Sequence, residues 1–464
     1  KDNFYYIDFK GYYTGPPSDL PIGVFDSGTG GLTVLNAIVN YDQYNNSTHV
    51  KEKDKAPDFK HEKFIYLADQ ANMPYGNYYS ENKTDLLVEN VIKDAQFLLS
   101  DKYYQTQKDS SYSIGKEHVK AIVIACNTAT AYAKKQLEDF IRLTGLQMKI
   151  IGVIDAGAKG TLAHFGVNEN GSIGVLATVG TIASKGYEEK LKAMRKSLHL
   201  KGKISIFNQG GYGIAEAVDN DPSYINKTAN SPRNDYRGPS LTNPDYPVDK
   251  ALFDIYHFDF SNYQVLCNST NTDECQILQL NSPGNYVRYH LVSLLERMRK
   301  AGNPPPLKAI ILGCTHYPFL IKEIKQTLKD LYEYRKNGKF VYRHLMSPDI
   351  HIIDPAELVA QELYEFLKDK NLFNTGGDIH KSEFYITVPN LDNKNVKVDD
   401  PGHFTYAYKY GRTADEIQEY VKCVPFSNSN IDNDTFARFK EIIPSTYEII
   451  QSFFNERKGK ANNK

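Results

Sequence analysis

Two cysteines stand where a thiol can do acid–base work. Cys126 ends the run Lys120-Ala-Ile-Val-Ile-Ala-Cys126-Asn127-Thr128, and Cys314 ends Lys308-Ala-Ile-Ile-Leu-Gly-Cys314-Thr315-His316. Each follows an apolar, β-branched run of the kind a buried parallel strand carries. Each precedes an amphipathic stretch, 129–142 or 318–334, that reads as a helix. The dipole of a helix favours thiolate at its start. A lone buried cysteine is usually a small apolar side chain, but a pair in matched contexts calls for chemistry. A disulfide between thiols that start helices in separate domains would span too far. A metal site needs more His and Cys at ligand spacing, and only His316 is near. The third option is proton transfer, in which one thiolate removes a proton from a carbon and the opposite thiol returns one to the other face. A cysteine whose pKa is tuned toward working pH suits that task.

The elements that must position these thiols are short apolar runs alternating with longer amphipathic segments, the mark of a parallel α/β sheet. Strands are predicted at 22–25, 64–67, 121–125 and 150–154, and again at 173–176, 204–207, 309–312 and 350–353. The two series align in order. The two cysteine runs match, Gly23-Val24-Phe25-Asp26-Ser27 resembles Gly174-Val175-Leu176-Ala177-Thr178, and Ile154-Asp155-Ala156 resembles Ile353-Asp354-Pro355. Buried strands look alike, so one match means little; three in order argue for a duplication. The expected fold is therefore α/β, with two pseudo-symmetric domains, mainly parallel sheets flanked by helices, and the site in the cleft between the domains. The division expected is an irregular lead-in at 1–20, a first domain of 21–156 plus about 357–464, and a second domain of 157–356. The second carries a long insert at about 219–285, rich in Pro, Asn and Ser and read as irregular, whether lid, oligomer contact or surface decoration. In such sheets ligands bind beyond the carboxyl ends of the strands. The polar residues there are Asp26-Ser27-Gly28, Asp69, Cys126-Asn127-Thr128, Thr178, Gln209, Cys314-Thr315-His316 and Asp354.

Composition narrows the partners. A net charge of -1 supplies no electrostatic footprint for nucleic acid or an anionic membrane. No stretch approaches the ~20 apolar residues that a spanning helix needs. Cys267 and Cys275 flank the polar loop CNSTNTDEC and fit a disulfide, which would point to an oxidising compartment, as well as they fit two reduced thiols. The chain begins at Lys, which leaves open a trimmed N-terminal segment. No strand-linked G-x-G-x-x-G with a downstream acid and no Walker A lysine occurs, and nothing singles out a Schiff-base lysine for PLP, so neither a cofactor nor a metal is expected.

With these residues assembled, the chain closely resembles bacterial glutamate racemase, of the PLP-independent aspartate/glutamate racemase superfamily. The segments that carry the resemblance are PIGVFDSGTGGLTVL, FIYLADQANMPYG, AIVIACNTATA, IIGVIDAGAKG, IGVLATVGTIASKGY, AIILGCTHYPFL and IIDPAELVA. They occur in family order across 21–365, and SEFYITV continues the likeness more weakly. DSG-x-GG alone is a weak signal; ACNTAT together with GCTHYP is specific. The resemblance implies cofactor-independent racemisation of glutamate, with D-glutamate supplied for peptidoglycan in a bacterial host and a cytoplasmic location, an exported form staying open. It implies that Cys126 acts on the D-glutamate side assisted by Asp26, and Cys314 on the L-glutamate side assisted by His316. Ser27, Pro74, Tyr75, Gly76, Asn127, Thr128, Thr178, Thr181 and Thr315 would hold the substrate, with Tyr75 and Gly76 in a turn that presents backbone N–H groups. One segment departs from the pattern. Where the family has Cys-Pro and a glutamate that assists the second cysteine, this chain has Asn208-Gln-Gly-Gly-Tyr-Gly-Ile-Ala-Glu216, and Glu216 is the candidate for that role. The partner expected is the small molecule glutamate; the sequence leaves oligomeric state open, a homodimer included. Rival readings are a superfamily racemase acting on aspartate or a hydantoin, and an inactive amino-acid-binding descendant. An aspartic protease would need a second D-[ST]-G beside Asp26-Ser27-Gly28, and none occurs.

Overall fold

The computed structural model describes residues 3–462 apart from 270, 272, 273, 401 and 417. Residues 1 and 2 of the lead-in, and 270, 272 and 273 of the long insert, lie outside the described residues. The chain forms two units, one of residues 1–156 with 356–464 and one of residues 157–355.

The sheet of the first unit has strands β1 (Ile22–Asp26), β2 (Phe64–Ala68), β3 (Ala121–Ile124) and β4 (Lys149–Gly152). The second unit contributes β5 (Gly171–Ala177), β6 (Ile204–Gly210), β7 (Leu307–Gly313) and β8 (Met346–Ile353). The chain then returns to the first sheet with β9 (Glu383–Pro389) and β10 (Val421–Pro425). The first sheet runs β10-β9-β2-β1-β3-β4 and the second β8-β7-β5-β6. All pairings are parallel except β9 with β10. The α/β class read from the sequence is borne out, and the duplication shows in the connectivity. In each unit the first strand of the repeat lies between the second and the third, and the third pairs with the fourth. The strands β1, β2 and β3 are buried along their whole length, which is why they read as unbroken apolar runs rather than alternating ones.

Three expectations are revised. The segment 150–154 ends as a strand at Gly152, and a helix starts at Val153. The first thiol-bearing helix is longer than predicted, α1 over Asn127–Thr144. The second is delayed, because a 3-10 turn over Tyr317–Leu320 intervenes before α2 begins at Ile321 and runs to Glu333. The strands β9 and β10 lie beyond the repeat and were not among the eight predicted. In β10 the apolar pattern is broken by Lys422, whose ammonium is buried against the carbonyls of Gln107 (3.0 Å) and Asp109 (2.7 Å) and the carboxylate of Asp392 (2.6 Å).

The long insert is packed, and its stretch 219–249 is irregular as expected, made of turns and bends with isolated bridges at Ser240 and Pro247. Its short strands Val265–Cys267 and Leu278–Leu280 pair antiparallel, and a Cys267–Cys275 disulfide closes the turn between them, with Cα atoms 5.7 Å apart. Tyr224, Tyr256 and Phe258 are buried with Tyr286 and Tyr289 of the following helix, Pro283–Lys300. Its asparagines do the work of a missing ladder. Asn281 accepts from the Asn226 amide and donates to the carbonyls of Asn226 and Tyr263, and Asn285 donates to those of Asp259 and Gln264.

An ion pair sits inside the first unit. Lys120 Nζ lies 2.6 Å from Glu62 Oε2, each about 1% exposed, and Lys120 also donates to the carbonyls of Ser18 and Leu372. Burial pushes the Glu62 carboxyl up and the Lys120 ammonium down, and their attraction opposes both. Removing one partner strands the other charge, so Lys120→Met is expected to cost about 3–5 kcal/mol. The measurement is the urea midpoint, and the double variant Lys120→Met/Glu62→Gln should recover much of the loss.

Candidate active site

In the first unit the predicted residues gather at the carboxyl ends of β1 and β3, which are adjacent, and in the turn that follows β2. Asp26 ends β1, fully buried, and its Oδ2 accepts from the amides of Gly28 (3.3 Å) and Gly31 (2.8 Å). The DSGTGG segment therefore wraps around its own aspartate. A Cβ at Gly31 would lie 2.4 Å from the Asp26 Cβ and 2.8 Å from the Tyr66 hydroxyl, so only glycine permits this wrap. Ser27 is buried beside it. Cys126 is the N-cap of α1, its Sγ accepting from the Ala129 amide at 3.5 Å, and Asn127 and Thr128 occupy the first turn, all three buried. The thiol thus sits at the positive end of an 18-residue helix.

Pro74, Tyr75 and Gly76 form the turn between a 3-10 turn at Gln70–Asn72 and a short helix at Asn77–Ser80. The Tyr75 ring is directed inward rather than toward a ligand. Its Oη lies 2.5 Å from Asp69 Oδ2 and 2.7 Å from Asp94 Oδ2, all fully or nearly fully buried. A phenol carries one proton, so both contacts are bonded only when one carboxyl is protonated. Burial raises both carboxyls, and the neighbouring Asp69 charge adds to burial in holding Asp94 well above the usual range. Asp69 keeps the compensating bonds from Thr387 (2.7 Å) and Asn72 (3.0 Å). With its hydroxyl engaged, Tyr75 has only its backbone to offer a substrate. The amides of Tyr75 and Gly76 donate to no acceptor among the described residues.

In the second unit Cys314 follows β7, and its Sγ lies 3.6 Å from Nδ1 of His316. Nε2 of the same ring lies 3.0 Å from Asp219 Oδ2. Burial disfavours the charged imidazole, but the Asp219 carboxylate and the Cys314 sulfur outweigh it and hold His316 well above its ordinary value. The ring then donates from both nitrogens. Because the 3-10 turn at Tyr317–Leu320 precedes α2, Cys314 is not capped as Cys126 is; the imidazolium supplies the positive charge instead. Asp219 was missed by sequence reasoning: it caps the short helix Ile214–Val218, and its partner is 97 positions away. Glu216, on that helix, is buried and pushed up to about 7 by burial, within the field of His316, but the hydrogen bond to the ring belongs to Asp219. The glycine-rich run before it is held by His290, whose Nε2 faces the Tyr212 carbonyl (2.9 Å) and whose Nδ1 faces the Gln209 amide (3.1 Å). Burial brings His290 down to about 4, so it is neutral. Thr178, at the end of β5, caps the helix Val179–Ala183 through the Thr181 amide (3.2 Å) and bonds the Thr181 hydroxyl (2.9 Å). Thr315 is buried between Cys314 and His316.

No protein-family model matches the chain. It is 24% identical to glutamate racemase of Lactobacillus helveticus over 367 residues, which cover 79% of this chain and 88% of that protein. The chain is similar to glutamate racemases along most of its length. Its identity to the glutamate racemase of a Sulfurihydrogenibium species is 34% over 181 residues, or 39% of this chain and 53% of the relative. A crystal structure of glutamate racemase isoform RacE1 from Bacillus anthracis is 23% identical, with 79% of this chain and 88% of that one covered and a TM-score of 0.45.

The Asp219–His316 pair carries a signed pH dependence. A histidine whose folded pKa is raised lends stability that is full below its unfolded value of about 6.5 and is lost as pH rises through the folded one. Asp219→Asn is expected to bring the His316 titration down, read by NMR of the ring, and to destabilise the protein more at pH 6 than at alkaline pH.

Proposed function

We propose that this chain interconverts L- and D-glutamate without a cofactor, with Cys126 and Cys314 as two bases on opposite faces of the α-carbon. The observation that supports this most is the likeness to glutamate racemases over 79% of the chain, joined to one thiol after the third strand of each of two like-ordered sheets. In this reading Cys126, steadied by its helix and by Asp26, works on the D-glutamate side. Cys314, steadied by His316 and through it by Asp219, works on the L-glutamate side, and Glu216 adds a proton-accepting group nearby. One thiolate takes the α-proton, negative charge grows on the substrate carboxylate, and the opposing thiol delivers its proton to the other face. Without an electron sink, that charge has to be met by hydrogen bonds in a water-poor site. Ser27, Asn127, Thr128, Thr178, Thr181 and Thr315, and the amides of the Pro74-Tyr75-Gly76 turn, supply the donors.

In deuterated water the wild-type chain should exchange the α-proton of glutamate while inverting it and should leave aspartate alone. Cys126→Ala and Cys314→Ala should each lose about 10²–10⁴-fold or more in inversion rate. Racemisation at the wild-type rate by either variant sinks the two-thiol mechanism, and added PLP should change nothing.

Supply of D-glutamate for peptidoglycan follows from the resemblance and calls for the cytoplasm. Among the described residues no helix is long and apolar enough to cross a membrane. The Cys267–Cys275 bridge favours the exported alternative. Protein isolated without reductant and then unfolded should present Cys126, Cys314 and Cys423 to an alkylating agent, with Cys267 and Cys275 protected. Modification of all five cysteines would return the protein to a reducing compartment.

A further inference from the structure

A segment near the end of the chain grips the turn that the proposed function uses for the substrate. It runs from Phe404 through the short helix Tyr406–Gly411 to Arg412, beyond the motifs that carry the family resemblance. Lys409 Nζ donates to the Met73 carbonyl, and Tyr410 Oη donates to the Pro74 carbonyl at 3.3 Å. Arg412 donates from one terminal nitrogen to Asn72 Oδ1 (2.6 Å) and to Tyr78 Oη (3.3 Å), and its own carbonyl accepts from Lys83 Nζ (2.9 Å). Both sides of the turn are thereby taken. Its carbonyls at 73 and 74 are held by the segment, and its side chains at 72 and 75 are held by Arg412 and by the Asp69–Asp94 pair. The amides of Tyr75 and Gly76 are left over.

Arg412 is itself fixed. Only 6% exposed, its guanidinium lies 5.0 Å from the ring of Phe404, 5.6 Å from Tyr408 and 5.0 Å from Tyr420. A cation enclosed by three aromatic faces is attracted to each, and a planar fork so enclosed loses little freedom on bonding Asn72. Asn72 passes the constraint on by donating to both oxygens of Asp69, which accepts from Tyr75. A surface decoration would have no need to bury a guanidinium at the base of this turn.

We propose that residues 404–412 position the turn 72–76, with Arg412 as the principal positioning residue, so that the Tyr75 and Gly76 amides are aimed at a substrate carboxylate. The proposal rests on the glutamate reading for the identity of the ligand and on the contacts above for the grip itself. An interaction of this kind favours the bound state by pre-organisation, so its loss raises KM more than it lowers kcat.

Two readouts on the full chain separate the grip from the reading it rests on. The first is amide hydrogen exchange over 72–78 in the absence of substrate, comparing wild type with Arg412→Met and with Lys409→Met. Arg412→Met keeps bulk among the three rings, and Lys409→Met is a milder change should the first fail to fold. Both should speed exchange in the turn by about tenfold or more, the loss of one charge-assisted hydrogen bond, while β1 and β3 exchange as in wild type. The second is KM and kcat for both glutamate enantiomers, where KM should rise about tenfold in both directions with kcat within about twofold. Arg412→Lys should restore part of the lost affinity. Unchanged exchange in the turn, or KM and kcat altered together with no restoration by lysine, overturns the proposal. If the wild type does not interconvert the enantiomers, the glutamate reading fails alone, and the exchange comparison still decides whether the segment holds the turn.

Discussion

A parallel strand buried on both faces has no room for chemistry along its length, and this constraint arranges everything else in the molecule. Polar groups are pushed to the carboxyl ends of β1, β2, β3, β5 and β7, where the chain leaves the sheet and backbone amides come free. Asp26, Asp69, Cys126, Thr178 and Cys314 all stand at such ends. All but the half-buried Thr178 are nevertheless buried, so each of these has to be satisfied locally: Asp26 by glycine amides, Asp69 by Tyr75, Thr387 and Asn72, Cys126 by a helix start, Cys314 by an imidazolium. The two thiols occupy like places in like sheets but receive their positive charge from different sources.

What the sequence reveals follows from the range of the interactions involved. The strands of the repeat are legible because burial on both faces writes itself as consecutive β-branched residues, and the order of the motifs carries the α/β class. Local caps are legible too, since Cys126 and its helix are neighbours in the chain. Contacts across long separations leave no such trace. The Asp219–His316 bond spans 97 positions and the Arg412–Asn72 bond 340, and nothing near Asp219 or Arg412 marks either residue. Side-chain direction is also illegible: Pro74-Tyr75-Gly76 reads as a ligand-binding turn, but only the structure sends the Tyr75 ring inward to two carboxyls.

In the irregular segments polar composition suggests loose loops, yet their carbonyls are held. Lysine ammonium groups are turned inward to satisfy carbonyls that no ladder serves. Lys102 holds those of Asn3 and Tyr6, Lys116 those of Leu98 and Glu117, Lys120 those of Ser18 and Leu372, and Lys422 those of Gln107 and Asp109. Asparagine does the same service in the insert of the second unit. Burying an amine is costly, and Lys116 shows it by falling to about 8 under desolvation. In exchange, long irregular stretches are ordered without strands of their own.

The chain order of the two units has a consequence for synthesis. The second unit is continuous, residues 157–355, whereas the first is interrupted by it and resumes at 356. A ribosome working from the N-terminus releases β1 to β4 early, yet β9, β10 and the helix at Ala356–Lys370 arrive only after the whole second unit has been made. The second unit can therefore reach its native sheet while the first is still a half-sheet whose β2 edge lacks its partner. The nascent first unit waits through about 200 residues of elongation, at roughly 5–20 residues per second, with an apolar strand edge open to chaperones or to the same edge on a neighbouring chain.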